Sequence, residues 1–144
     1  MSLITPKTAL ISLSDKSNLD KLVKFLLKQK VKMISTGGTY KSIKKITDDV
    51  MEVSEFTGFE EMMDGRVKTL HPKIHAGILA RRESDMGVLT DRGYEPIDMV
   101  VVNLYPFKET VTSGCSFEEA IEKIDIGGPT MILSLIHISE PTRL

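Results

Sequence analysis

The stretch GRVKTLHPK, residues 65–73, gathers Arg66, Lys68, His71 and Lys73 between two helical segments. Cations at that density form either a solvated basic loop or the wall of a pocket for an anion. A second stretch, STGGT, sets Gly37 and Gly38 ahead of a helical pattern starting at Thr39. Glycines let the backbone approach a ligand, and a helix start offers unpaired N–H groups and a positive dipole end, which suits a phosphate. A plain strand-to-helix turn has the same look. Neither GxGxxG nor GxxxxGK[ST] is present, but Lys16, Arg66 and Lys68 are available to the same edge, which favours the phosphate reading.

Other reactive types are weaker pointers. His71 and His75 stand four apart, a metal-ligand spacing, yet the glutamate of HExxH and a third ligand are missing. His71 is then expected beside the pocket or as a local cap. Cys115 precedes a helix start but has no base partner, so an inert thiol is expected. Asp125 precedes Gly127 and Gly128, expected to be flexible glycines, after the last expected helix. An ordinary turn carboxylate is the simpler reading on spacing, and a proton-handling or hydrogen-bonding role is the alternative.

These residues need a frame, and the apolar periodicity supplies one. KTALISLSDKS opens with a short β-type run. Leu19, Leu22, Val23 and Leu26 then fall on one helical face, with Ser17 and Asp20 as an expected N-cap pair. VKMIS reads as a strand, TGGTYKSIKKI as a helix, and 49–56 as containing a third strand. Pro72 sits at the first position of a helix carrying Ile74 and Ile78. A short helix is expected over 84–93, and Met99 to Val102 read as a strand buried on both faces. Ser116 and Glu119 make a capping box for a helix to residue 124. Strand and helix alternate without hairpin signals, so the expected fold is α/β, a mostly parallel sheet covered by helices. Ligands of such sheets bind at the carboxyl ends of the strands.

Composition narrows the partners. The chain has 144 residues, 41% hydrophobic and 27% charged, enough for one domain with a real core. Nineteen Lys and Arg against 20 Asp and Glu give a net charge of -1, which argues against nucleic acid and for a small anionic ligand. The single cysteine excludes an internal disulfide. No stretch approaches the roughly 18 apolar residues of a membrane span, and no signal peptide is read at the start, so a cytoplasmic protein without membrane contact is expected.

Taken together, LISLSDKSNL, STGGT, VSEFTGFEEMMDGRVKTLHPKIHAGILARR, VVVNLYPF and IEKIDIGGPT resemble one family in order and spacing. It comprises the bifunctional purine-biosynthesis enzymes that join AICAR transformylase to IMP cyclohydrolase. The resemblance covers the amino-terminal cyclohydrolase domain, from about Thr8 to Ile132. It implies a three-layer, methylglyoxal-synthase-like α/β fold and closure of the formylated aminoimidazole carboxamide ribotide to IMP and water. It implies no metal or cofactor for that step, whereas the family's other domain would use 10-formyltetrahydrofolate. The expected ligand is a nucleotide monophosphate, and the full-length enzyme is expected to be a homodimer.

By motif, the resemblance puts Ser12, Ser14, Asp15 and Lys16 along the nucleotide site and Thr36, Gly37, Gly38 and Thr39 at its phosphate. Arg66, Val67, Lys68 and Thr69 would lie along the nucleotide, and Val102, Asn103 and Tyr105 would border the base. Asp125, Ile126 and Gly127 would close the site, with Lys68, Asp125 and Tyr105 as its catalytic groups. Lys68 would act as a cationic donor to the developing oxyanion and Asp125 would orient the carboxamide. The cations of GRVKTLHPK would thus face a nucleotide monophosphate.

From Leu133 onward the chain departs from the family pattern, and His137 stands where that pattern has a catalytic lysine. Residues 133–144 are expected to be a foreign tail resembling a translated sequencing adapter. The last elements of the domain and the transformylase domain are expected to lie outside the chain. A fragment that binds nucleotide but catalyses poorly follows. The alternatives are a non-catalytic phosphate-binding regulatory domain of the same fold, or an inert fragment.

Overall fold

The computed structural model describes residues 5–63, 65 and 67–136. Four strands, β1 (Thr8–Ser12), β2 (Lys32–Ser35), β3 (Val50–Glu52) and β4 (Met99–Val102), form one all-parallel sheet in the order β3-β2-β1-β4. The helices are α1 (Leu19–Lys28), α2 (Gly37–Lys44), α3 (Val53–Thr57), α4 (Pro72–Leu79), α5 (Met86–Asp91), α6 (Phe107–Thr112), α7 (Phe117–Glu122) and α8 (Gly127–Leu135).

The period of the strands builds two cores, one on each face of the sheet. Ala9, Ile11 and Met33 point to one side, where Leu19, Val23 and Leu26 of α1 and Ile43 of α2 meet them. Leu10 and Ile34 point to the other, against Val53 and Phe56 of α3, Ile74 and Ile78 of α4, and Met131 of α8. This is the helix-covered parallel sheet expected from the alternation and the three-layer α/β fold that the family resemblance implies. Successive side chains of a strand face opposite layers, so a strand covered on both sides must be apolar throughout.

Strand β4 corrects one expectation. Its apolar run does reach both cores, Met99 and Val101 on one side and Val100 and Val102 on the other. It is nevertheless the edge strand, and all four residues are only half-buried. The alternating contacts explain the composition, and the edge position explains the exposure.

Helix starts differ from expectation in an instructive way. His71 accepts a hydrogen bond from the Lys73 N–H at 3.0 Å and so caps α4, with Pro72 at its first position. The capping box of Ser116 and Glu119 opens α7. The Ser17–Asp20 pair does not cap α1. Asn18 occupies that position, the Ser17 N–H donates to the Asp15 carboxylate at 2.9 Å, and Asp20 pairs with Lys24 at 2.8 Å.

Three helices were not expected: α3, α6 and α8. Gly127 and Gly128, read from sequence as flexible, form the first turn of α8. The Asp125 carboxylate accepts the Gly128 N–H at 2.9 Å, and Pro129 is tolerated because first-turn N–H groups lack intrahelical acceptors. The expected boundary after Ile132 falls inside α8, whose Ser134 is buried and bonded to His75 at 2.8 Å. His137 lies outside the described residues. No helix among the described residues is long and apolar enough to cross a membrane.

Candidate functional site

The sheet order reverses direction beside β1, since β2 and β3 lie on one side and β4 on the other. A crevice outside the carboxyl ends of β1 and β4 is where such sheets bind ligands. A cavity of about 570 Å³ occupies that place, within the roughly 300–1,000 Å³ range of small-molecule sites.

The loop after β1 contributes Ser12, Ser14 and Lys16, and the β2–α2 junction contributes Thr36, Gly38 and Thr39. Lys68 and Thr69 come from the segment before α4, Asn103 and Tyr105 from the end of β4, and Asp125, Ile126 and Gly127 from the start of α8. All these residues line one cavity. Asp15, Gly37, Val67 and Val102 are not part of its wall. Asp15 is exposed, its carboxyl held below the ordinary range by the Ser17 backbone and side chain. Val102 packs into the core beneath the site. Arg66 lies outside the described residues.

The cationic end is the best defined. Helix α2 starts at Gly37, whose φ of +55° favours glycine. A side chain there would begin 3.0 Å from the Lys68 ammonium, and one at Gly38 would begin 3.8 Å from that of Lys16. Two ammonium groups therefore flank the first turn of α2. Lys16 also donates to the Ser14 carbonyl at 3.2 Å, and Lys68 stands 3.8 Å from the Glu61 carboxylate.

The basic stretch itself divides, which corrects the reading that its cations all face one ligand. Lys68 reaches the cavity and His71 caps α4. Lys73 lies over the rings of Phe56, 4.6 Å from its centroid, and Tyr94, at 5.9 Å. An ammonium stacked on two rings is a packing device.

Two residues expected at the ligand are used to hold the site's own backbone. The Thr39 hydroxyl accepts from the Leu13 N–H and donates to the Leu13 carbonyl, both at 2.9 Å. The Asn103 carboxamide accepts from the N–H groups of Ser14 and Asp15 and donates to the Asp15 carbonyl at 3.1 Å. Both fix the loop after β1. Backbone groups in loops must find partners, and here side chains supply them.

The opposite wall is apolar and acidic. Ile121, Glu122 and Ile124 line the cavity beside Asp125, and Leu13, Gly65, Gly128 and Met131 complete it. Sequence reading missed these. Ile121 lies on α7, which has no buried residue, and Ile124 follows two residues beyond its end. Both are exposed apolar side chains, and no pattern in the sequence marks them as lining a site. Buried Thr69 brings its hydroxyl oxygen 2.5 Å from the point where a Gly127 side chain would start. Tyr105 is 44% exposed, and Lys123 stands 5.6 Å from its ring centroid.

The sequence profile of the MGS-like domain matches residues 18–130, most of the chain. The chain belongs to the MGS-like domain family. This MGS-like domain is 59% identical over 128 residues to the bifunctional purine biosynthesis protein PurH of Clostridium acetobutylicum, matching its amino-terminal region. The match covers 88% of the chain but 26% of the relative, so the chain spans about a quarter of that protein's length. Among solved structures, the crystal structure of ForH superposes with a TM-score of 0.72 at 31% identity, covering 92% of this MGS-like domain and 71% of ForH.

Proposed function

We propose that this MGS-like domain serves purine biosynthesis as the ring-closing part of a bifunctional enzyme, binding IMP or its open-ring formylated precursor. The observation that carries the reading is the pair of ammonium groups, Lys16 and Lys68, flanking the glycine start of α2 at a switch-point cavity. That arrangement suits a phosphate monoester, and the apolar Ile121–Ile124 wall suits a base.

Ring closure joins the carboxamide nitrogen to the formyl carbon. The formyl oxygen gathers negative charge and takes one proton that the attacking nitrogen gives up. It then takes a second as the former formamide N–H gives up its own, the C–O bond breaks, the ring C=N bond forms and water leaves. Holding both groups of one molecule in the cavity supplies orientation, which lowers the barrier without any covalent help. Lys68 is given to the phosphate rather than to the developing oxyanion, because its ammonium stands at the first turn of α2. One Asp125 oxygen is occupied by the Gly128 N–H, and the other is left to orient the carboxamide. Tyr105, half-exposed at the rim, exchanges the proton with solvent. With His137 in place of the family's lysine, ring closure is slowed by about 10²–10³, as for loss of one oxyanion donor.

Calorimetric titration with IMP and with inosine tests the reading. Lys16→Ala should weaken IMP binding and leave inosine binding nearly unchanged. Equal losses would remove the phosphate assignment. Formation of IMP by the same preparation should be slow, and a rate matching PurH would contradict the role given to position 137.

A further inference from the structure

Glu61 lies in the connection between α3 and α4 and is not part of the cavity wall. Its carboxylate oxygen stands 3.8 Å from the Lys68 ammonium, beyond hydrogen-bond reach, so the pair is held by charge and uses none of the ammonium's donors. The two groups meet over Gly65. With φ of +83° and no side chain, Gly65 leaves the space in which a Cβ would sit 2.8 Å from Lys68 Nζ and 3.3 Å from Glu61 Oε1. On its other side the same ammonium lies 3.0 Å from the corresponding point at Gly37. Lys68 therefore occupies a slot between two glycines, with the cavity on one flank and a carboxylate on the other. Its side chain is 21% exposed against 46% for Glu61, so the carboxylate keeps its own hydration when the pair loosens.

We propose that Glu61 is a specificity-determining residue that competes with the bound anion for Lys68. The inference rests on the phosphate reading of the cavity. A carboxylate of charge -1 beside the ammonium lowers the attraction for every incoming anion. A dianionic phosphate monoester outbids it, and a weakly charged or neutral ligand gains nothing from Lys68. Glu61 thereby sets a charge threshold for entry. Because it does not reach the cavity, it acts only through the charge it places beside Lys68.

The test compares wild type, Glu61→Gln and Glu61→Asp by calorimetry with IMP and with inosine at low and high salt. Exposed charge pairs imply that Glu61→Gln tightens IMP binding by about 2- to 5-fold. Inosine binding should not change, the gain should shrink as salt rises, and Glu61→Asp should bind IMP as wild type does. Thermal unfolding of the three proteins should coincide, since Glu61 is exposed. Weaker IMP binding by Glu61→Gln would show that the carboxylate props Lys68 into place and would overturn the proposal. Unchanged IMP binding, or equal tightening of both ligands, would overturn it as well. If wild type binds IMP no better than inosine, the phosphate reading itself fails, an outcome separate from the other three.

Discussion

The two walls of the cavity are built by different means. One, the β1 and β2 loops with α2, grows from the central strands. Leu10, Ile11 and Ile34 beneath it are fully buried, and the loop after β1 is clamped by the side chains of Thr39 and Asn103. The other consists of the end of α7, the turn that follows it and the start of α8, with α6 packed behind α7. Neither α6 nor α7 has a buried residue, and Phe117 is 76% exposed. The lysine-bearing end is therefore rigid by construction, and the apolar end is only laid against the edge strand. Affinity for a charged group needs fixed donors, whereas an apolar wall can adjust around a ring.

Three substitutions would break or sharpen that contrast. Thr39→Val should have the largest effect, leaving the N–H and carbonyl of Leu13 without partners. Buried unsatisfied groups cost about 1–3 kcal/mol, so chemical denaturation should show a loss of that size together with weaker phosphate binding. Normal binding in a destabilised variant would show that the first loop holds itself.

The second addresses the seam between the walls, where His75 of α4 meets Ser134 of α8. Ser134 donates to the Thr130 carbonyl at 3.0 Å, so His75 Nδ1 is the donor in their contact and Nε2 is buried without a hydrogen-bond partner. Burial lowers the His75 pKa below 6.5, and the Thr69 backbone partly offsets it. The unfolded chain then binds the proton first as pH falls, so stability is full above about pH 6.5 and declines below it. Melting temperatures at pH 7.5 and 5.5 should differ more for wild type than for His75→Gln. Identical pH responses would remove His75 as the cause.

The smallest effect is expected from Phe117→Ser on α7. Surface changes away from packed features stay within about 0.5 kcal/mol. A larger loss in urea titration would mean that α7 is held more firmly than its exposure indicates.

Much of the rigid wall could be read from the sequence, because its causes are local. The period of Leu19, Val23 and Leu26, the glycine pair after a strand, and the proline opening α4 each carry their own physics. What escaped reading depends on distant partners. Nothing near Thr39 or Asn103 shows that their polar groups serve Leu13, Ser14 and Asp15 rather than a ligand. Nothing within 65–73 tells that Lys73 stacks on Phe56 and Tyr94 while Lys68 enters the cavity. The glycines of α8 looked flexible because their stabilising contact comes from a carboxylate outside the helix. The edge position of β4 is a property of strand order, which an apolar run does not encode.

Strand order also governs how the molecule comes into being. Asp98 holds the N–H of Thr8 across 90 residues, and β1 pairs with β4 over the same span. At about 5–20 residues per second, a ribosome needs roughly 5–20 seconds to deliver the second partner after the first. Throughout that interval one flank of the most deeply buried strand, β1, has no neighbour, and the Asn103 carboxamide that fastens the first loop has not been made. Long-range parallel pairing is slow and prone to aggregation for this reason. The binding edge is thus the last part of the nascent sheet to exist.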